Sequence, residues 1–156
     1  MRDAFGGITS LVIIVVFLVL VSGYLAFNVN YTKAFKVKNR IITLFEQYEG
    51  SCGGTNLDNA SASGRCNQEI KAYIDQVGYS AIIPRSQTAA GYTCVDAFGY
   101  CYKKVEVDTA SDREQRAYFK IVTQITIDLP IVNRILPFLG DIFQVSGDTR
   151  TIIVTG

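Results

Sequence analysis

The sequence of 156 residues contains no histidine and no tryptophan. Without histidine, the chain cannot form a Ser-His-Asp or Cys-His catalytic arrangement, a histidine-ligated metal site or an imidazole proton relay. Charge is also scarce, because Asp, Glu, Lys and Arg together make up 19% of the residues. The 15 basic and 14 acidic residues leave a net charge of +1, which excludes a strongly basic nucleic-acid-binding protein and an acidic disordered chain.

The apolar residues, 49% of the chain, are concentrated near the amino terminus. The stretch from Ile8 to Phe27 carries no charge, and a helix of about twenty residues spans the roughly 30 Å hydrocarbon core of a bilayer. A buried core helix would show a polar face, which this stretch lacks. A cleaved secretory signal is the stronger alternative, with possible cleavage points after Gly23 and Ala26.

The helical pattern continues beyond this apolar stretch. Residues 28–49 contain neither glycine nor proline, and apolar side chains recur every three or four positions: Ala34, Val37, Ile41, Leu44, Phe45 and Tyr48. We therefore expect one helix from about Phe5 to Tyr48, ended by Gly50 and roughly 65 Å long. Residues 8–27 would lie in lipid or in a filament core, and residues 28–49 would form an amphipathic stem.

Four cysteines follow the stem, and three pairings are possible. Cys52 and Cys66 flank a segment rich in Gly, Ser and Asn, whereas Cys94 and Cys101 flank a predicted hairpin tip. Pairing of sequence neighbours is therefore expected, with four free buried thiols as the alternative. Two disulfides indicate an oxidising, extracytoplasmic location for the head. The positive-inside rule indicates the opposite orientation, because four basic residues follow the span: Lys33, Lys36, Lys38 and Arg40.

Residues 50–156 predict an α+β head. A short amphipathic helix is expected over residues 67–77, closed by Gly78, and residues 79–90 are expected to be irregular. A hairpin is expected from residues 91–94 and 100–107. Residues 112–116 form a charged connection that is expected to be a solvated turn.

The clearest strand pattern covers residues 118–129 and ends at Pro130. Its inward face is expected to carry Phe119, Ile121, Thr123, Ile125, Ile127 and Leu129. An apolar crossing over 131–140 and a final strand over 142–154, broken near Gly147 and Asp148, complete a sheet of three or four antiparallel strands. A sheet of this size needs a cover, and the stem is the expected one.

No group of residues in the sequence predicts catalysis. Gly53 and Gly54 lack the helix and lysine that follow a phosphate-binding loop. Asp96, Asp108 and Asp128 are scattered, and no cysteine spacing matches a zinc site. We therefore expect no enzymatic activity, no cofactor, no metal, no nucleic acid and no small-molecule substrate.

The beginning of the chain, Met1-Arg-Asp-Ala-Phe-Gly-Gly7, is a short leader that precedes the apolar helix directly. A leader, an apolar helix, an amphipathic stem and a disulfide-containing head together resemble the type IV pilin superfamily. The head is similar to TadE-like pseudopilins of tight-adherence secretion systems, in which a strand ending in proline, an apolar crossing and a final strand follow a helix. Here these are Ile125-Thr-Ile-Asp-Leu-Pro130, residues 131–139 and Phe143-Gln-Val-Ser-Gly147.

The resemblance implies that a membrane peptidase removes the leader by cutting after Gly6 or after Gly7. The peptidase site would then consist of Gly6, Gly7 and Ile8. The resemblance also implies that the apolar helix then packs against other copies or other pilin-like subunits in an extracellular filament. Interlocking aliphatic ridges and one small residue favour such packing at Leu11, Val12, Val15, Val16, Val19 and Gly23. Before assembly the chain would be a single-pass membrane protein with an extracytoplasmic head.

One position departs from the family pattern. Members of the family usually carry glutamate five residues into the mature chain, where Leu11 or Val12 stands in this sequence. This departure indicates a tip-type or minor pseudopilin, a filament held by apolar packing alone, or a leader that is not removed. The alternative function is a single-pass membrane-anchored extracytoplasmic binding domain that does not assemble.

Overall fold

A computed structural model describes residues 2–80, 83, 88, 90–107, 116–125 and 144–153. The first element, α1, is one unbroken helix of 46 residues from Arg2 to Gln47. It begins three residues before the predicted Phe5, and Gly6 and Gly7 lie within it.

The carboxyl end of α1 lies where the sequence predicted it. Gly50 has a φ of 75°, a left-handed conformation that favours glycine. Its amide donates a hydrogen bond of 2.8 Å to the Phe45 carbonyl. A side chain at Gly50 would also meet the ring of Phe119, at 2.5 Å from Cε2. Two requirements, the turn and the close packing, therefore converge on glycine at this position.

The second helix, α2, spans Ala62–Val77, so the predicted start at residue 67 was too late. Ser61 caps the helix, since its hydroxyl accepts a hydrogen bond of 2.9 Å from the Gly64 amide. The Gly, Ser and Asn content between Cys52 and Cys66 is typical of a loop, but Ser61 in that segment is the cap of α2. Gly78, with a φ of 63°, ends the helix as predicted.

The described residues of the head form an antiparallel sheet of five strands, where three or four were predicted. The strands are β1 (Thr93–Val95), β2 (Tyr100–Val107), β3 (Arg116–Gln124), β4 (Gln144–Asp148) and β5 (Ile152–Ile153). Their order is β1-β2-β3-β4, and β5 also pairs with β3. A 3₁₀ turn over Asp96–Phe98 connects β1 to β2, which confirms the predicted hairpin.

The final strand was predicted with a break near Gly147 and Asp148, and the break follows Asp148. Both parts pair with β3: β4 lies beside residues 120–124, and β5 lies beside Arg116 and Ala117. Thr149 fills the gap, because its amide donates to the Phe119 carbonyl and its hydroxyl accepts from the Phe119 amide, each at 2.9 Å.

Arg116 begins β3, so the predicted solvated turn over 112–116 is wrong at its last residue. Residues 112–115 lie outside the described residues, as do 126–129, Pro130, the apolar crossing over 131–140, residues 142–143 and Val154. Most of the expected irregular segment over 79–90 lies outside them too. The proline-ended strand and the crossing that resemble TadE-like proteins are therefore not described.

The core of the head lies between the stem and the sheet. The predicted stripe of α1 is fully buried at Ala34, Val37, Ile41, Leu44 and Phe45, whereas Tyr48 is partly buried. The predicted inward face of β3 is also buried, at Phe119, Ile121, Thr123 and Ile125. The hydroxyl of Thr123 donates a hydrogen bond of 3.1 Å to the Ala34 carbonyl, which joins strand and stem directly. The predicted α+β architecture, with the stem covering a small antiparallel sheet, is confirmed.

Candidate functional site: the exposed apolar helix

The amino-terminal half of α1 has no cover. Every residue from 7 to 22 is exposed, and exposure reaches 65% at Ile8 and 66% at Leu20. In the described part of the chain, α1 is the one helix long and apolar enough to cross a membrane. Because exposed apolar surface costs about 25 cal/mol per Å² in water, this half of α1 requires lipid or other apolar helices around it.

The residues predicted to mediate assembly all lie on this exposed half. At 100° per residue, they occupy an arc of roughly 140° on one side of the helix. The five aliphatic side chains are between 41% and 62% exposed: Leu11, Val12, Val15, Val16 and Val19. The backbone is open at Gly23, where an added Cβ would meet no atom within 4 Å. The arrangement therefore provides a ridge of branched side chains followed by a site for close helix approach.

The predicted peptidase site also lies on α1. Gly6, Gly7 and Ile8 are all helical. The surroundings of Gly7 are open, with no atom within 4 Å of an added Cβ. The three residues therefore follow one another in α1, about one turn before Leu11, and Gly7 and Ile8 are exposed.

Two disulfides stabilise the head, in the predicted pairing. Cys52 is joined to Cys66, which ties the turn after α1 to the first turns of α2 across a Cα–Cα distance of 5.6 Å. Cys94 is joined to Cys101 between directly opposed positions of β1 and β2. Both bridges indicate a head that matures in an oxidising compartment, outside the cytoplasm.

Three of the four basic residues after the span contact other groups of the protein. The Lys33 ammonium donates to the Gly78 carbonyl at 3.3 Å. Lys38 is only 8% exposed and lies over the Phe35 ring, 4.4 Å from its centroid. Arg40 forms an ion pair of 3.2 Å with Glu69. Of these three charges, only that of Arg40 is paired with an acidic group among the described residues.

The buried tyrosines of the head are structural groups. Burial raises the pKa of Tyr79 and of Tyr100 far above the usual value of a phenol. The Tyr79 hydroxyl accepts a hydrogen bond of 3.0 Å from the Gln124 amide and lies 2.9 Å from the Gly99 carbonyl. The Tyr100 hydroxyl has no hydrogen-bond partner among the described residues. Both phenols stay protonated at neutral pH.

The acidic residues were the remaining candidates for a metal site. No group of three metal-ligating side chains occurs among the described residues. Asp108 and Asp128 lie outside those residues. The Glu69 carboxylate accepts a hydrogen bond from the Tyr48 hydroxyl at 2.8 Å. This hydrogen bond is the main cause of the raised pKa of Tyr48.

A groove that the sequence did not predict lies between α1 and α2, with a volume of about 620 Å³. We call it the helical groove. Its α1 side runs from Leu25 to Lys36, and its α2 side includes Tyr73, Gln76 and Val77. The sequence predicted α2 only as an amphipathic helix, and its Tyr73 and Val77 are partly buried against the core. Finding the groove requires the relative placement of two helices, which periodicity does not give.

Comparisons of this chain with protein-family models, with curated proteins and with solved structures found no match. The fold and the exposed helix therefore define the protein only as a class. It is an α+β protein with a single apolar amino-terminal helix, long enough to span a membrane, and a disulfide-bonded head.

Proposed function

We propose that the protein is a pilin-like structural subunit. Its apolar amino-terminal helix would leave the membrane and pack with other copies, or with other pilin-like subunits, in an extracellular filament or pseudopilus. The observation that supports this proposal is the division of α1, since residues 7–22 are entirely exposed whereas residues 34–45 carry the core of the head.

The continuity of α1 gives the two parts a mechanical connection. The helix runs without a break from the exposed ridge into the core, where Phe45 packs against Phe119 at 5.3 Å between ring centroids. A force on the exposed half is therefore transmitted to the sheet through a hydrogen-bonded helix, and no flexible linker intervenes. Such a rigid connection suits a subunit that must hold its position in a filament.

Replacement of lipid by protein is the energetic step of assembly. Lipid tails and aliphatic side chains are similarly apolar, so association of membrane helices depends on packing and not on hydrophobic transfer. The ridge from Leu11 to Val19 offers interlocking branched side chains, and Gly23 permits a close crossing. We propose that these residues replace lipid contacts with contacts to neighbouring helices.

The proposed role of the head is structural, without catalysis. Within the described residues, Glu69 of the head pairs with Arg40 of the stem, and Lys71 pairs with Asp75 within α2. The core of the head is stapled by two disulfides, each worth roughly 2–4 kcal/mol against unfolding. We expect a head that resists unfolding outside the cell and carries the outer surface of the filament.

The alternative proposal is a single-pass membrane-anchored extracytoplasmic binding domain. The absence of a carboxylate at Leu11 and Val12 favours it, because the pilin-like family usually has glutamate at that depth. In this alternative the exposed half of α1 stays in lipid and leader removal is not required.

Cysteine crosslinking within the exposed helix separates the two proposals. The chain has four cysteines, and all are in disulfides, so the double variant Val12→Cys/Val19→Cys adds the only free thiols. These two positions lie roughly 10 Å apart along the helix, too far to bridge each other. Assembly predicts a ladder of covalent multimers in material sheared from the cell surface.

The parent chain is the matched control and should give no ladder. A variant that remains a monomer, or forms only occasional dimers in the membrane fraction, would favour the anchored binding domain over the filament subunit.

A further inference from the structure

We propose that the helical groove binds the headgroup of an anionic phospholipid from the membrane leaflet next to the head. This inference rests on the membrane-resident state of the proposed function and does not require assembly. Three observations support it: the depth of the groove along α1, the charge of its lining, and the division of the lining into an apolar and a basic part.

The depth of the groove matches the headgroup layer. The apolar stretch of α1 ends at Phe27, and the groove extends from Leu25 to Lys36. At about 1.5 Å per residue, Lys33 lies roughly 9 Å and Lys36 roughly 14 Å beyond Phe27 along the helix axis. The polar layer of one leaflet is about 5–8 Å thick, and lysine side chains reach several ångströms back towards the interface. The ammonium groups can therefore lie at phosphate level.

The groove carries positive charge that can bind an anion. Among the described residues that line it, Lys33 and Lys36 are basic and none is acidic. Lys33 gives a hydrogen bond to the Gly78 carbonyl, which leaves two of its three ammonium donors. Lys36 is exposed and forms no hydrogen bond or ion pair with a described residue. The nearby charge of Arg40 is already compensated by Glu69 at 3.2 Å.

The lining of the helical groove has an apolar end and a basic end, as a lipid has an apolar tail and a charged headgroup. Leu25 and Val29, 58% and 55% exposed, lie at the end towards the membrane, and the two lysines lie at the end towards the head. The partly buried Tyr73 and Val77 face them from α2. An occupant that fits both ends has an apolar part below and an anionic part above. A phospholipid has this form, whereas free phosphate does not.

The test uses the full chain purified in mild detergent and native mass spectrometry of lipid adducts. The probes are phosphatidylglycerol, phosphatidylcholine and inorganic phosphate. We expect retained phosphatidylglycerol, little phosphatidylcholine and no phosphate adduct. Each lysine should contribute about fivefold to the preference for phosphatidylglycerol, so Lys36→Gln should reduce it about fivefold and Lys33→Gln/Lys36→Gln should nearly remove it. Lys36→Arg should keep it.

The matched control is Lys71→Gln, which removes the same charge from the exposed face of α2 outside the groove. It should leave the preference unchanged. Equal retention of both lipids, or an equal loss in Lys71→Gln and Lys36→Gln, would overturn the groove as a specific site. A phosphate adduct as strong as the phosphatidylglycerol adduct would reassign the groove to free anions.

Failure of the groove and failure of membrane residence give different results. Vesicle flotation of the parent chain reports residence, because the apolar helix inserts independently of the two lysines. A chain that floats with vesicles but shows no lipid preference contradicts the groove alone. A chain that does not float contradicts both the membrane-resident state and the groove.

Discussion

The two halves of α1 have the same backbone and similar aliphatic side chains, yet opposite surroundings. Val16 is 53% exposed and Val37 is completely buried, and Phe17 is 63% exposed whereas Phe45 is completely buried. The two halves differ in where their polar residues lie around the helix. The stem has a polar face that leaves one stripe for the head to cover, but the first half is apolar on all sides, so one small sheet cannot cover it.

This comparison shows that apolar content alone does not decide which part of a helix belongs to a core. The position of the polar residues decides it. The head therefore covers α1 only as far as the polar face of the helix extends. The uncovered half needs an apolar environment on all sides. Each prediction below treats the two halves as distinct and tests whether a change in one leaves the other intact.

The largest expected effect comes from removing a ring on the buried half. Phe45→Ala should lower the free energy of unfolding of the head by about 3–5 kcal/mol, since the ring packs against Tyr102 and Phe119 at 5.4 and 5.3 Å between centroids. Phe17→Ala is the matched control on the exposed half and should leave the free energy unchanged. Chemical denaturation in detergent measures both, and equal losses would contradict the division of the helix.

A charge in the middle of each half should separate insertion from folding. Val16→Lys should disfavour membrane insertion by roughly 2.5–3.5 kcal/mol and prevent assembly, with both disulfides of the head intact. Val37→Lys should unfold the head and still allow insertion. Flotation with vesicles reports insertion, and thiol titration reports the disulfides. Normal filaments from Val16→Lys would refute the role given to the exposed half.

Loss of the Cys52–Cys66 bridge tests the head close to the end of α1. Cys52→Ser should release one thiol, at Cys66, and lower the free energy of unfolding by about 3 kcal/mol, since the bridge closes a loop of about fifteen residues. Membrane insertion should not change. A thiol detected instead at Cys94 or Cys101 would show that the pairing differs.

The smallest expected effects come from two buried phenols in the head. Tyr79→Phe should cost about 1–3 kcal/mol, because it leaves the buried Gln124 amide without its acceptor. Tyr100→Phe should be close to neutral, since its hydroxyl has no hydrogen-bond partner within the part of the chain that the structure describes. Thermal unfolding of the two variants side by side gives the contrast, and a larger loss for Tyr100→Phe would contradict the hydrogen-bond assignment.

The two buried tyrosines also make the stability of the head depend on pH. Burial raises the pKa of both phenols in the folded head, so the folded state binds more protons than the unfolded state once the pH exceeds about 10, the pKa of an unfolded tyrosine. Stability is then constant below that pH and falls above it. Tyr79→Phe should flatten the fall, which unfolding at a series of alkaline pH values would show.

Much of the fold could be predicted from the sequence, because it rests on local signals. Helical spacing identified the buried stripe from Ala34 to Phe45, alternation identified the inward face of β3, and Gly50 and Gly78 marked two helix ends. The cysteine spacing gave the correct pairing. Each of these signals lies within a few residues of the feature that it predicts.

The errors arose where a local signal was ambiguous or a partner was distant. The composition around Ser61 is typical of a loop. The hydrogen bond that its hydroxyl accepts from the Gly64 amide shows that Ser61 caps α2. The sheet has a fifth strand because Ile152 and Ile153 pair with the start of β3 after a gap filled by Thr149. The helical groove depends on how α1 and α2 lie against each other, which no single stretch of sequence specifies.

The intact mass of the native protein, compared between material sheared from the cell surface and the membrane fraction, tests the central claim most directly. The proposed filament subunit predicts a mature chain that begins at Gly7 or Ile8 and occurs in the sheared material. A chain that retains residues 1–7 and occurs only in membranes would contradict assembly and favour the anchored binding domain. A chain that begins near Tyr24 or Phe27 would contradict both, because the exposed half of α1 would have been removed as a signal.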